Sequence, residues 1–152
     1  DGCVAAEQAQ RAIEATRSIA QGLDYVGVLC VEFFGLEDGS LVVNEMAPRP
    51  HNSGHWTIEG AQTSQFENHI RAILGLPLGS TDPIGHSAMM NFIGEIPAVG
   101  NILRVPGVHF HSYGKEPRPN RKLGHCTVNA PSPAARDRAI MPLGSAQWST
   151  AA

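Results

Sequence analysis

The stretch that decides the fold runs from residue 26 to residue 46 and reads VGVLCVEFFGLEDGSLVVNEM. Val26–Phe34 and Leu41–Met46 are rich in β-branched and aromatic residues, which predicts two strands. Asp38-Gly39 between them is a strong signal for a tight hairpin turn. Because the first strand is apolar on both faces apart from Glu32, we expect it to be buried.

The register of this hairpin determines where its two acidic side chains lie. If Asp38-Gly39 is a two-residue type I′ turn, Phe34 pairs with Val43 and Glu32 pairs with Glu45. The two carboxylates then share one face, with Cβ atoms ~5 Å apart, while Asn44 points to the other face of a regular strand. Like charges at this separation repel, and Mg²⁺ held by carboxylates and phosphate oxygens removes the repulsion. The alternative is that both glutamates simply face solvent.

A polar loop follows the second strand, and residues 44–55 read NEMAPRPHNSGH. Arg49 offers a fixed fork of donors for a carboxylate or phosphate, and His51 and Asn52 add hydrogen-bonding groups. This chemistry predicts an anion site beside the metal site. Two alternatives remain: an ordinary polar surface loop, or a zinc site made by His51 and His55.

A second group of charges lies at residues 115–122, which read KEPRPNRK. The segment carries four of the chain's eleven basic residues and one acidic residue, a local charge of +3 on a chain whose net charge is −3. That contrast favours a small, doubly charged anion such as a 5′-phosphate over a polymer. The alternative is a solvated hairpin tip.

The flanking segments predict an α+β fold. Hydrophobic periodicity indicates helices at residues 5–21 and 65–74, the second with an apolar stripe, and further strands at 88–93, 108–113 and 123–129. His109 and His111 share one face of the middle strand, which we interpret as a half-buried surface. We therefore divide the chain into a first domain (1–78), a small β-rich domain (79–129) and a disordered Ala- and Pro-rich tail (130–152).

Composition narrows the class of protein. The 152 residues are 42% hydrophobic and 16% charged, so a folded core is expected. A net charge of −3 argues against a nucleic-acid polymer as partner. Three distant cysteines show no disulfide pattern, and no apolar run is long enough to span a membrane. We expect a cytoplasmic setting, with an organelle such as a plastid left open.

The chain also resembles a known family. GVLCVEFF and VVNEMAPRPHNSGHWTIEGAQTSQFENHIRAILGLPLG are similar to the C-terminal half of the ATP-grasp domain in 5-(carboxyamino)imidazole ribonucleotide synthetases. The later MMNFIGE, HSYGK and RKLGH segments resemble that family's small C-terminal domain. The resemblance covers roughly residues 20–128. It implies that the chain is a C-terminal fragment of such a ligase.

The family joins ATP, bicarbonate and aminoimidazole ribonucleotide through carboxyphosphate, in purine biosynthesis. Carried over by position, Glu32 and Glu45 hold Mg²⁺, with Mn²⁺ as a possible substitute, and Asn44 lies beside the nucleotide. The resemblance further implies that bicarbonate and carboxyphosphate bind to Arg49, His51 and Asn52. It also implies that the ribonucleotide phosphate binds to Lys115, Arg121 and Lys122. It also implies a homodimer at full length and negligible turnover by this chain alone.

Two rival functions remain open from the sequence. One is another ATP-grasp ligase that uses formate, which would share the glutamate pair. The second is a non-catalytic module in which the hairpin and the basic loop serve assembly with a partner chain. Ala47, two residues after Glu45, favours the carboxylating family, because many other ATP-grasp enzymes have Asn there.

Overall fold

The computed structural model describes residues 6–143 and 148–151. Its helices are α1 (Ala6–Gly22), α2 (Thr57–Gly60), α3 (Gln65–Ile73), α4 (Val99–Ile102) and α5 (Pro133–Ile140). Its strands are β1 (Cys30–Gly35), β2 (Leu41–Ala47), β3 (His86–Ile93), β4 (Val108–Ser112), β5 (Lys122–Ala130) and β6 (Trp148–Ala151). The predicted α+β class is confirmed. Across the described ranges, no helix combines the length and apolar character needed to span a membrane.

The chain divides into two compact units. The first comprises the residues up to Gly54 together with Gln65–Leu78. The second comprises His55–Ser64 and the residues from Gly79 onward. The segment 55–64, which contains α2, therefore groups with the later residues of the chain.

In the first unit, α1 covers one face of the β1–β2 hairpin. Val31 and Phe33 line an apolar groove together with Ile13 and Ala20 of this helix. The Gln8 side-chain amide also donates to the carbonyl of Gly39 at 3.4 Å, which ties the hairpin loop to α1. Because side chains alternate along a strand, Glu32 projects from the opposite face.

Strand β1 is shorter than predicted, because residues 26–29 lie outside it. Gly27 has a φ of +133°, which is incompatible with a regular strand. The backbone groups of Val28 are satisfied by side chains instead of a partner strand: its N–H donates to His69 Nδ1 at 3.0 Å, and its carbonyl accepts from the Tyr25 hydroxyl at 3.1 Å. His69 thus has a structural role in holding this segment.

The hairpin loop has three residues, so the predicted two-residue turn is wrong. The Leu36 N–H donates to the Ser40 carbonyl at 2.9 Å, which closes the loop around residues 37–39. Gly39 adopts a φ of +80°, the left-handed position of this loop class. Hydrogen bonds from the side chain and backbone of Ser40 lower the pKa of Asp38 and so favour its charged form in the loop.

Compared with the predicted two-residue turn, the three-residue loop shifts the strand pairs nearest to it by one residue. Phe34 lies opposite Val42, so the predicted pairing of Phe34 with Val43 is wrong. The register then shifts again between Glu32 and Phe33. Asn44 is the extra residue of this bulge, and the shift returns Glu32 to its predicted position opposite Glu45.

The first unit buries less apolar surface than the sequence suggested. Phe34 in β1 is 57% exposed, and Ala47 is the buried hydrophobic residue of the hairpin at 3%. The apolar stripe of α3 is also exposed, whereas Asn68 on that helix is buried. The physical reason is that a two-stranded sheet with a helix on one face leaves its other face open.

The second unit is built on a four-stranded antiparallel sheet in the order β4-β5-β3-β6. β5 is an inner strand of this sheet, and its residues from Leu123 to Val128 are all buried. Phe92, Ile102 and Cys126 form the centre of the core. Burial raises the pKa of the Cys126 thiol to about 12, so this cysteine stays protonated and unreactive.

The predicted disordered tail is wrong for residues 133–143 and 148–151. The Ser132 hydroxyl accepts a hydrogen bond from the Ala135 N–H at 3.2 Å, and Pro133 follows at the first helical position, which together start α5. Leu143 packs against the core, and β6 pairs with β3. The prediction for residues 144–147 and 152 falls outside the described residues.

The three-residue loop makes a testable prediction about Gly39. An alanine Cβ at this position would meet nothing within 4 Å, so its cost comes from the left-handed backbone alone. We expect Gly39→Ala to lower the free energy of unfolding by about 1–2 kcal/mol in urea titrations. Gly22→Ala is the matched control, since Gly22 also has open space but no positive φ. Equal stability of the two variants would contradict the left-handed conformation of Gly39.

Candidate functional site

The site of the first unit begins with two opposed carboxylates. Glu32 and Glu45 are Cα partners across the hairpin. The side chain of Glu32 is 42% exposed, and Glu45 is also exposed, so neither charge is buried. Because the bulge breaks the strand's alternation, the Asn44 amide donates to Glu32 Oε2 at 3.5 Å, contrary to the prediction that Asn44 points away.

This donor set fits a magnesium ion that shares its coordination with phosphates. Among residues 6–143 and 148–151, no group of three or more His, Cys, Asp or Glu side chains is arranged to hold a metal by itself. A zinc site built from His51 and His55 is therefore not supported in this part of the chain. Mg²⁺ is usually held by one or two carboxylates, with phosphate oxygens and water completing the shell. Glu32 and Glu45 supply that number of carboxylates.

The loop after β2 brings a histidine next to this pair. His51 Nε2 lies 3.6 Å from Glu32 Oε1, too far for a hydrogen bond but close enough for one small ligand to touch both. Nδ1 of the same ring lies 2.9 Å from the Ser53 hydroxyl. The Arg49 guanidinium, which is exposed, donates to the Pro50 carbonyl at 3.1 Å. Asn52 begins the 3-10 turn Asn52–Gly54.

Two of the predicted phosphate ligands, Lys115 and Arg121, lie on the loop between β4 and β5. Lys115 Nζ is 5.2 Å from the centre of the Tyr113 ring, a cation–π contact that orients the lysine. Arg121 donates to the Glu116 carbonyl at 3.4 Å, and Lys122 begins β5. Lys115 and Arg121 thus lie on one loop, and Lys122 lies where this loop enters β5.

A partly buried polar cluster, not predicted from the sequence, adjoins the Tyr113 end of this loop. His111 Nε2 lies 2.6 Å from Glu59 Oε1, and the His111 ring stacks on His125 with centroids 4.5 Å apart. The Tyr113 hydroxyl lies 2.8 Å from His125 Nδ1. His125 therefore connects the cluster to Tyr113, whose ring contacts Lys115.

The strand pairing explains the contacts of His111, whose half-buried position agrees with the sequence interpretation. His111 and His125 are direct partners across β4 and β5, so their rings meet on one face of the sheet. Glu59 comes from α2, more than fifty residues earlier, and its backbone carbonyl accepts from the Asn129 side chain at 3.1 Å. Alternation within one strand carries no information about a partner on a distant helix.

The cluster holds His125 in its neutral form. Burial is the main cause, followed by the nearby His111 and His55 rings, and together they lower the pKa of His125 to about 4. The unfolded chain binds a proton near pH 6.5, whereas the folded chain does so only near pH 4. Lowering the pH through this window therefore stabilises the unfolded state, and the folding stability falls.

We expect NMR titration of the His125 ring to give a midpoint near pH 4. Between pH 7 and pH 4.5 the wild type should lose more unfolding free energy than His125→Gln, which lacks the titrating ring. The difference should be on the order of 2–3 kcal/mol. His109→Gln, on the exposed part of the same sheet, serves as the control. A His125 midpoint near 6.5 would contradict the buried, neutral cluster.

Two family models match the chain, and they cover its two parts in succession. Residues 2–66 match the ATP-grasp domain. Residues 87–139 match the phosphoribosylaminoimidazole carboxylase C-terminal domain. The glutamate pair lies in the first match, and the basic loop with its histidine cluster lies in the second.

Curated relatives agree with both models. The N5-carboxyaminoimidazole ribonucleotide synthase of Pseudomonas aeruginosa is 61% identical over 106 residues, which is 70% of this chain and 29% of the relative. The Vibrio vulnificus protein of the same name is 52% identical over 122 residues, which is 80% of this chain and 31% of the relative. The chain thus spans about a third of the length of these relatives.

Solved structures give the same family. The N5-carboxyaminoimidazole ribonucleotide synthetase of Thermus thermophilus matches 93% of this chain and 39% of its own, with a TM-score of 0.83 and 51% identity. The Aspergillus clavatus N5-carboxyaminoimidazole synthase, solved with ADP and 5-aminoimidazole ribonucleotide, matches 93% of this chain and 40% of its own, with a TM-score of 0.80 and 40% identity. The chain belongs to the N5-carboxyaminoimidazole ribonucleotide synthase family.

Proposed function

We propose that this chain supplies the metal–nucleotide carboxylates and the anion loop for the ATP-dependent carboxylation of aminoimidazole ribonucleotide. The observation that carries the proposal is the opposed pair Glu32 and Glu45, with the His51 ring 3.6 Å from Glu32. A bare pair of like charges is unfavourable, and a divalent cation with an ATP phosphate makes it favourable. Membership of the synthase family supports this choice over a formate-using ligase or an assembly module.

In this proposal Glu32 and Glu45 hold Mg²⁺, for which Mn²⁺ can substitute, and the Asn44 amide lies beside the nucleotide. The bound cation offsets the negative charge of the ATP phosphates. The Asn44 hydrogen bond to Glu32 Oε2 restrains that carboxylate before the ion arrives. Positioning of this kind matters because phosphoryl transfer depends mainly on geometry and charge.

The loop after β2 is proposed to bind bicarbonate and the carboxyphosphate made from it. Arg49 provides a planar fork of N–H donors for a carboxylate or phosphate, and its exposure leaves it accessible to a ligand. His51 and Asn52 contribute further hydrogen bonds to the same anion. Donors aimed at the charge of an acyl phosphate stabilise it and slow its loss to water.

The basic loop is proposed to bind the 5′-phosphate of the ribonucleotide through Lys115, Arg121 and Lys122. Two of these side chains are oriented by the fold, one by the Tyr113 ring and one by the Glu116 carbonyl. Since the chain spans about a third of its relatives' length, complete turnover requires more of the enzyme than is present here. A cytoplasmic location and a homodimer at full length complete the proposal.

The test uses a full-length chimaera, in which this chain replaces the matching segment of the Pseudomonas aeruginosa relative. We expect ADP formation that depends on both bicarbonate and aminoimidazole ribonucleotide. Glu32→Gln should lower kcat/KM for MgATP by about 100-fold or more, because the metal loses a charged ligand. An unaltered rate in Glu32→Gln, or ADP formation that ignores bicarbonate, would contradict the proposal.

Glu37→Gln provides the matched control for this variant. It makes the same chemical change on the same hairpin, but at an exposed loop position away from the pair. Its kcat/KM for MgATP should stay within about twofold of the wild type. The unmodified Pseudomonas aeruginosa protein, assayed in parallel, calibrates the expected rate.

The basic loop is tested separately in the same chimaera. Lys115→Met should raise KM for aminoimidazole ribonucleotide by about 10–100-fold while leaving KM for MgATP unchanged, because one charge-assisted contact to a phosphate is worth roughly 1.5–3 kcal/mol. Arg104→Met removes an exposed positive charge outside the loop and should have no such effect. A rise in KM for MgATP equal to that for the ribonucleotide would contradict the assignment.

A further inference from the structure

Gln65 forms an unusual pair of contacts with the anion loop. Its side-chain Oε1 accepts a hydrogen bond from the His51 backbone N–H at 3.0 Å. Its Nε2 donates to the His51 carbonyl at 2.7 Å. One side-chain amide therefore binds both backbone polar groups of a single residue fourteen positions away.

This two-point contact restrains the backbone of His51 more than either hydrogen bond would alone. A single contact leaves the peptide free to rotate about it, whereas two contacts on either side of the Cα limit both rotations. Gln65 is the first residue of α3, so the amide is attached to a regular helix and not to another loop. We call this pair of contacts the Gln65 clamp.

Gly54 makes the space that the Gln65 clamp occupies. A Cβ on Gly54 would lie 2.6 Å from Gln65 Oε1 and 2.9 Å from its amide carbon, closer than real Cβ atoms approach other atoms. The Gly54 N–H also donates to the His51 carbonyl at 3.0 Å, so this carbonyl accepts two hydrogen bonds. The amide, the glycine and the His51 backbone thus form one fitted arrangement.

The ring of His51 is oriented by a different set of contacts. Its Nδ1 lies 2.9 Å from the Ser53 hydroxyl and accepts from the Ser53 N–H at 3.3 Å. Because Nδ1 is engaged in this way, Nε2 is the nitrogen directed toward Glu32. Ser53 therefore orients the imidazole ring, whereas Gln65 fixes the position of the backbone to which the ring is attached.

We propose that Gln65 is a positioning residue that sets the place of the His51 imidazole relative to Glu32, and that Gly54 is glycine to admit it. The inference rests on the proposed function, in which His51 contacts the anion derived from bicarbonate. In this proposal Gln65 acts on the anion through the His51 backbone. Its loss should therefore act on bicarbonate through His51 and leave the ribonucleotide site unaffected.

The first experiment measures steady-state kinetics of Gln65→Ala in the full-length chimaera. We expect kcat/KM for bicarbonate to fall by about 10–100-fold, because a displacement of about 1 Å in a positioned group has effects of this size. KM for aminoimidazole ribonucleotide should remain within about twofold of the wild type. Gln62→Ala, which removes the same side chain from an exposed position, is the matched control and should match the wild type.

The second experiment tests the fit between Gly54 and Gln65 with a double-mutant cycle. Gly54→Ala alone should reduce kcat/KM for bicarbonate, because its methyl group displaces the amide. In the Gln65→Ala background the same change should have little further effect, since the displaced group is already absent. Fully additive losses in the double variant would overturn the proposal.

Hydrogen exchange separates this proposal from the proposed function. In the Gln65→Ala chimaera, the peptide containing the His51 amide should exchange at least about tenfold faster, whatever the activity. If the wild-type chimaera shows no bicarbonate-dependent ADP formation, the proposed function fails while the Gln65 clamp is still tested by exchange. If the wild type is active and Gln65→Ala changes neither exchange nor kcat/KM for bicarbonate, the clamp fails alone.

Discussion

The repulsion between Glu32 and Glu45 is the constraint around which the first unit is organised. The hairpin backbone holds the two carboxylates opposite each other, and strand pairing leaves neither residue free to move away. Asn44 and His51 contribute polar neighbours to Glu32 without cancelling the charge of the pair. In the proposed function a cation completes this arrangement, and the loop after β2 supplies polar groups for a cation-bound phosphate and a second anion.

The second unit differs from the first because several of its polar side-chain atoms are buried. Oε2 of Glu59 and Nε2 of His125 have no hydrogen-bond partner among the described residues, which is costly in a protein interior. The His111–Glu59 and Tyr113–His125 contacts offset part of that cost. Through Tyr113 this cluster contacts Lys115 of the basic loop. In the proposed function, such a contact would reduce the entropy lost when the flexible lysine binds a phosphate.

The sequence correctly predicted that Glu32 lies opposite Glu45, but only because two errors cancel. The loop was predicted one residue too short, and the bulge at Asn44 was not predicted. The Asp-Gly signal located the turn but not its length, because left-handed Gly39 serves a three-residue loop as well as a two-residue one. The bulge at Asn44 has no sequence signature of its own. Local patterns located α1 and α3 and all but one of the described strands. They missed the short helices α2 and α4, and also α5, although Ser132-Pro133 is a helix start. They also missed the Glu59–His111 contact, which depends on tertiary structure.

The bulge at Asn44 and the length of the hairpin loop together determine which residue lies opposite Glu32. A two-residue turn at Asp38-Gly39 with the bulge retained would place Met46 opposite Glu32. Regular pairing through the three-residue loop, without the bulge, would place Asn44 there. The two irregularities therefore compensate each other, and a change of turn type in an exposed loop would separate the two carboxylates unless the bulge changed with it.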